Sequence, residues 1–150
     1  MTVVFNTLKI KNFLSVGDNE INISFQKGIN LLTGINNDNN TRNGVGKSSV
    51  IESIYWCLFG TTIRDIKNDK IIHNQQKKGC DVVLTFQVIN SDSTINQYTV
   101  TRSLGPSKIQ ITKDGVDVTL STIPNNDDYI KQIIGATPEV FNNAVIMTAN

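Results

Sequence analysis

The sequence predicts a mixed α/β layer fold, and three observations carry that prediction. A short apolar segment with a glycine at each end, Gly28-Ile29-Asn30-Leu31-Leu32-Thr33-Gly34, has the composition of a strand buried on both faces. Beyond Gly46, apolar residues recur at helical spacing in Val50, Ile51, Ile54, Tyr55 and Leu58. From Asp81 onward, polarity alternates residue by residue, which is the period of half-buried strands.

The elements follow in order. Leu8-Lys9-Ile10-Lys11-Asn12-Phe13 alternates and predicts a first strand. Ile21-Asn22-Ile23-Ser24-Phe25 repeats the pattern after a turn around Gly17-Asp18-Asn19, giving an antiparallel pair. The buried strand 28–34 leads into a polar, Asn-rich loop over 35–43. The helix after Gly46 carries Ser49, Glu52 and Ser53 on the side away from its apolar stripe, and Gly60 is its stop signal. Trp56, Cys57 and Phe59 widen the apolar surface, so the helix is expected to be covered on most sides.

In the second half, Val82, Leu84, Phe86 and Val88 predict a strand, and Tyr98-Thr99-Val100-Thr101-Arg102 predicts another after a polar turn. Ile109 and Ile111 lead into Asp114-Gly115, a two-residue hairpin signal, before Val116-Asp117-Val118 returns. A helix is expected over 126–134, closed by Gly135. Thr137-Pro138-Glu139 supplies an N-cap, a proline at the first helical position and an acid in the first turn of a final helix. No repeat or linker divides the chain, so one domain over residues 1–150 is expected.

Bulk features narrow the function classes. The 150 residues carry 14 basic and 13 acidic side chains, a net charge of +1. That balance argues against a module that holds nucleic acid by charge alone. The charge is segregated, however: residues 41–80 contain seven basic and three acidic groups, and residues 81–150 four and seven. Met1 to Phe13 lacks the basic and apolar regions of a signal peptide, and no stretch approaches the ~20 apolar residues that span a bilayer. Cys57 and Cys80 form no CxxC pattern and have only His73 nearby, so a metal site is not expected and a reduced, cytoplasmic setting is.

The chemistry concentrates in Arg42-Asn43-Gly44-Val45-Gly46-Lys47-Ser48-Ser49, between the buried strand and the long helix. Glycines let backbone N–H groups converge on a polyphosphate, and the helix that begins there directs its positive dipole end at the same anion. In such a loop Lys47 reaches the outer phosphates, the Ser48 hydroxyl ligates magnesium, and Ser49 adds a hydroxyl from the first helical turn. One position departs from the general pattern: Thr41 stands where a glycine is expected five residues before Gly46, and the strand-ending glycine is Gly34. Residues 35–41 are therefore read as a seven-residue insertion at the loop tip.

Taken together, Lys11-Asn12-Phe13, Gly28 to Gly34, Asn43 to Ser49, Ile51-Glu52-Ser53-Ile54 and Leu58-Phe59-Gly60 resemble one N-terminal segment. It is that of the SbcC-type double-strand-break repair ATPases and their phage recombination-endonuclease relatives, in the SMC-like branch of the ABC ATPases. The likeness continues through Ile63-Arg64-Asp65-Ile66 to Phe141-Asn142-Asn143-Ala144-Val145-Ile146.

The resemblance implies an ABC-type half head with a P-loop NTPase fold, in which a mixed sheet and an antiparallel β meander surround the P-loop helix. It implies ATP and magnesium as cofactors. Asn43, Gly44, Val45, Gly46, Lys47, Ser48 and Ser49 would line the triphosphate, with Ser48 on magnesium and Ile63 and Asp65 near the base and ribose. The implied partners are a C-terminal lobe beyond coiled-coil arms, a second head, a nuclease subunit and DNA, with no membrane. ATP hydrolysis needs an acidic pair and a second surface over the γ-phosphate, and the family carries these in the C-terminal lobe. Glu52 and Asp65 do not follow an apolar strand, so no catalytic base is assigned. The 150 residues alone are expected to bind ATP without efficient hydrolysis.

Two further departures stand out. Many relatives have Arg after Asn-Phe where this chain has Leu14, and many have a magnesium-sensing Gln where it reads Met147-Thr148-Ala149-Asn150. Lys67, Lys70, Lys77 and Lys78 near Arg64 read either as a phosphate-tracking surface for DNA or as a solvated loop. An ATP-gated SMC or RecF-like clamp has a similar first segment and is the alternative reading. A stand-alone P-loop kinase fits less well, because no aspartate follows a later apolar strand.

Overall fold

The computed structural model describes residues 1–25, 47–72 and 79–144. Its strands are β1 (Thr2–Lys11), β2 (Ile21–Ser24), β3 (Cys80–Ile89), β4 (Ile95–Leu104), β5 (Lys108–Lys113) and β6 (Val116–Asp117). The helices are α1 (Lys47–Phe59), α2 (Asn68–Ile71), α3 (Ile123–Ile134) and α4 (Pro138–Ala144). The expected strand 28–34, the insertion 35–41 and the motif through Gly46 lie outside the described residues.

The six strands form one sheet in the order β2-β1-β3-β4-β5-β6, and every ladder among the described residues is antiparallel. The expected β1–β2 pair forms with Leu8 opposite Ile23 and Ile10 opposite Ile21. On its other side β1 pairs with β3, Leu8 opposite Leu84 and Ile10 opposite Val82. β1 starts six residues earlier than its alternation predicted. A bulge between Phe5 and Thr7 shifts the register, so the inward set changes from odd to even positions and the simple period of two is lost.

One face of the sheet is closed by Leu8, Ile10, Val82, Leu84, Phe86, Val88, Val100, Ile109 and Ile111, all buried. Helices α1 and α3 pack on this face, which makes two layers, helix on sheet. α4 is pinned by the buried Phe141, whose ring lies 5.3 Å from Phe59 and 6.1 Å from Phe5 in edge-on geometry.

The punctuation follows the sequence. Gly60 ends α1 at φ +75°, with its N–H donating to the Trp56 carbonyl at 2.8 Å. Asp114 and Gly115 turn the β5–β6 hairpin, both with positive φ. α3 begins three residues before the expected Asn126, because Thr122 is its N-cap and Pro124 sits in its first turn, where a proline does no harm. Asn126 is instead a buried bracket: its amide bonds the Leu120 N–H and the Leu120 and Thr122 carbonyls. Thr137 caps α4 as expected, accepting from the Val140 N–H at 3.4 Å.

Candidate functional site at the start of the long helix

Lys47 is the first residue of α1, so Lys47, Ser48 and Ser49 all fall in its first turn, and that turn holds no acidic residue. A helix N-terminus free of carboxylates presents unopposed N–H groups and a positive dipole end, which suits an anion. The residues that would complete the cradle, Asn43, Gly44, Val45 and Gly46, lie outside the described residues.

Glu52 and Ser53 stand three and four positions after Ser49, so all three share one side of α1. The sequence predicts that side to be the polar one, yet all three are buried. Two turns of the chain bond to Ser49 and Glu52, while the Ser53 hydroxyl donates to the Val50 carbonyl within the helix. The first, residues 12–17, follows β1: the Asn12 N–H donates to the Gly17 carbonyl at 2.9 Å and the Leu14 N–H to the Ile71 carbonyl at 2.7 Å. Its Ser15 hydroxyl lies 2.7 Å from the Ser49 hydroxyl. Leu14, where the resemblance leads to an expectation of Arg, packs against the hydrophobic core.

The second turn, residues 62–66, is tied to α1 by Glu52. The Ile63 N–H donates to Glu52 Oε2 at 2.7 Å, and Arg64 Nε donates to Oε1 at 2.9 Å. The turn closes on itself through the buried Thr62, whose hydroxyl accepts from the Ile66 N–H at 2.6 Å. Ile63 is half-buried and Asp65 exposed, so the two residues expected near a base and ribose share one turn bonded to α1. Sequence reasoning missed Glu52 in this role, since a glutamate on a polar stripe reads as solvated.

Backbone strain gathers here. Asn12 (φ 54°), Leu14 (φ 49°) and Asp65 (φ 53°) all occupy the left-handed region, which disfavours side chains with a Cβ. Such conformations persist where surrounding structure over-determines them, as at ligand sites.

The other end of α1 is organised differently. Arg102 is buried, donates from Nε to the Cys57 carbonyl at 3.0 Å and pairs with Asp127 at 2.6 Å. Burial pushes the thiols of Cys57 and Cys80 up from 9.0 to about 12, opposed at Cys57 by the Arg102 charge. These are inert core cysteines, not nucleophiles. Among the described residues no group of three or more His, Cys, Asp or Glu could hold a metal ion, and no helix is long and apolar enough to cross a membrane. Lys67 and Lys70 are exposed; His73, Lys77 and Lys78 lie outside the described residues.

Comparison with known proteins places the chain in a family. A model of the AAA domain family matches residues 7–150. Exonuclease subunit 2 of Enterobacteria phage T4 is 32% identical over 146 residues, covering 95% of this chain and 24% of that protein. The DNA double-strand break repair Rad50 ATPase of Sulfolobus acidocaldarius is 33% identical over 152 aligned positions, covering 97% of this chain and 15% of that protein. Among solved structures, an SMC ATPase studied for ATP-driven dimerization and DNA-stimulated activation superposes with a TM-score of 0.66 at 20% identity, over 97% of this chain and 86% of that one. The fold is therefore that of an ABC-type ATPase head, and the SbcC-type resemblance read from the motifs holds.

Proposed function

The chain belongs to this AAA domain family, and we propose that it forms the N-terminal, ATP-binding lobe of a DNA double-strand-break repair and recombination ATPase that acts with a nuclease subunit. The observation that supports this reading best is the start of α1: Lys47, Ser48 and Ser49 in a first turn without a carboxylate, flanked by two strained turns bonded to the same helix. In this reading Asn43, Gly44, Val45, Gly46, Lys47, Ser48 and Ser49 line the triphosphate. The Lys47 ammonium neutralises the outer phosphates, and the Ser48 hydroxyl is the protein's ligand to magnesium. Ile63 and Asp65 face the nucleoside. Mg-ATP held by these residues would supply the hydrolysable bond that gates contact between heads.

The chain spans about a quarter of the phage relative and a smaller share of the archaeal one. The acidic pair for hydrolysis, the second head, the nuclease subunit and DNA are accordingly proposed as partners of a larger unit, of which residues 1–150 are a single lobe. An ATP-gated SMC or RecF-like clamp shares this fold, but the repair ATPase and the phage exonuclease subunit align over 97% and 95% of the chain and a RecF protein over 66%, which favours the repair reading.

The test is Lys47→Ala, followed by calorimetric titration with Mg-ATP. Loss of a charge-assisted phosphate contact removes about 1.5–3 kcal/mol, roughly a tenfold to hundredfold drop in affinity. Unchanged affinity would refute the assigned site.

A further inference from the structure

We propose that Glu52 is a positioning residue for the nucleoside end of a bound nucleotide, holding the 62–66 turn against the phosphate-binding helix. The inference rests on the proposed nucleotide site and adds to it a residue that never touches the ligand.

Glu52 lies four positions after Ser48, about 6 Å along the helix axis. A buried carboxylate so close to a polyphosphate site is unfavourable unless its charge is neutralised and its oxygens are bonded. Both conditions are met: Arg64 neutralises it, and its two oxygens accept one bond each, from the Ile63 N–H and from Arg64 Nε. A general base would need an oxygen facing the reacting water, so this arrangement points to a structural hold instead of proton transfer. It also differs from an ordinary surface ion pair. The Glu52 side chain is 5% exposed while that of Arg64 is 59% exposed, so the carboxylate anchors the turn from inside and the guanidinium stays at the surface.

The turn it holds can recognise something other than phosphate. Residues 62–66 are bonded to α1 at Glu52, about one turn beyond Ser48, where a triphosphate seated at the start of the helix would direct its nucleoside in this reading. There the exposed Asp65 carboxylate, held at φ 53°, is an acceptor of the kind ribose hydroxyls and base amino groups require. Glu52 fixes where that acceptor stands. Its loss should weaken recognition of the nucleoside and leave the phosphate cradle intact.

The experiment compares affinity for Mg-ATP with affinity for inorganic tripolyphosphate, which has phosphates but no nucleoside, in the full chain. With Glu52→Ala, ATP affinity should fall about tenfold, and tripolyphosphate affinity should stay within about twofold of the original. Glu52→Gln keeps an acceptor for the Ile63 N–H and should recover most of the ATP affinity, to within about threefold. Equal losses for both ligands, or no loss for ATP, would overturn the positioning role while leaving the nucleotide site in place. If Glu52→Ala does not fold, Arg64→Ala serves instead because its side chain is mostly exposed. With the Glu52 charge left unneutralised both affinities should fall, ATP about threefold further than tripolyphosphate, and equal losses or no loss for ATP would overturn the role. An unmodified chain that binds neither ligand would instead refute the nucleotide site itself, and this inference with it.

Discussion

The two halves of α1 are buried by opposite means. From Ser49 to Ser53 the covered side is polar, and two of its groups bond to loops outside the helix: Ser49 to Ser15, and Glu52 to Ile63 and Arg64. From Tyr55 to Phe59 the cover is apolar and aromatic, with Tyr55 5.1 Å from Phe59 and Trp56 5.4 Å from Phe13 between ring centroids. Full burial of a large apolar side chain contributes about 1.5–3 kcal/mol, whereas a typical hydrogen bond contributes about 0.5–1.5 net. The apolar half therefore fastens the helix to the sheet, and the polar half fixes the direction of two turns. Stability and site geometry are divided along a single helix.

That division can be tested from both ends. The largest expected effect is in the apolar half: Leu58, with no exposed surface, should lose about 2–5 kcal/mol of stability on replacement by Ala, measured by denaturant unfolding. ATP affinity of the folded fraction should be unchanged. A parallel loss of affinity would show that the halves are not separable.

Cys57 in the same half, and Cys80 at the start of β3, give a second effect that emerges only at alkaline pH. Burial raises Cys57 and Cys80 from 9.0 to about 12, so the fold favours their neutral thiols. The stability they contribute is fully present below pH 9, and it is lost as pH rises from 9 toward 12. Unfolding midpoints measured across that window should fall, and a Cys57→Ala, Cys80→Ala chain should show a flatter decline.

The smallest effect lies in the polar half. Ser15→Ala and Ser49→Ala should each lower stability by about 0.5–1.5 kcal/mol. A double-mutant cycle should return a coupling of at least ~0.5 kcal/mol between them. Additive losses would mean that the hydroxyl contact does not hold the 12–17 turn.

The sequence was most legible where a single period ran undisturbed. β3, β4, β5 and the Asp114-Gly115 hairpin follow from strict alternation and one turn signal, and the end of α1 follows from Gly60. The first residues of β1 were hidden by the bulge near Asn6, and the first residues of α3 by Pro124, which reads as a breaker until Thr122 is seen to cap the helix. α2, at four residues, is too short to show a period. In the candidate site, the residue types that contact phosphate announce themselves by spacing. Glu52 does not, because its bonds reach residues 11 and 12 positions away and no local pattern records them.

The pairing of β1 with β3 has a last consequence. Lys11 stands opposite Asp81, so the strands clasp the ends of a segment of about 70 residues that contains the glycine-rich motif, α1 and the 62–66 turn. The entropy of closing such a segment grows only with the logarithm of its length, so seven added residues change it by about 0.1 kcal/mol. The strand register tolerates no such freedom, since a shift of one residue would turn Leu8 and Ile10 out of the core. Evolution can therefore lengthen or shorten this segment almost without thermodynamic penalty, while the clasp that encloses it must stay as it is.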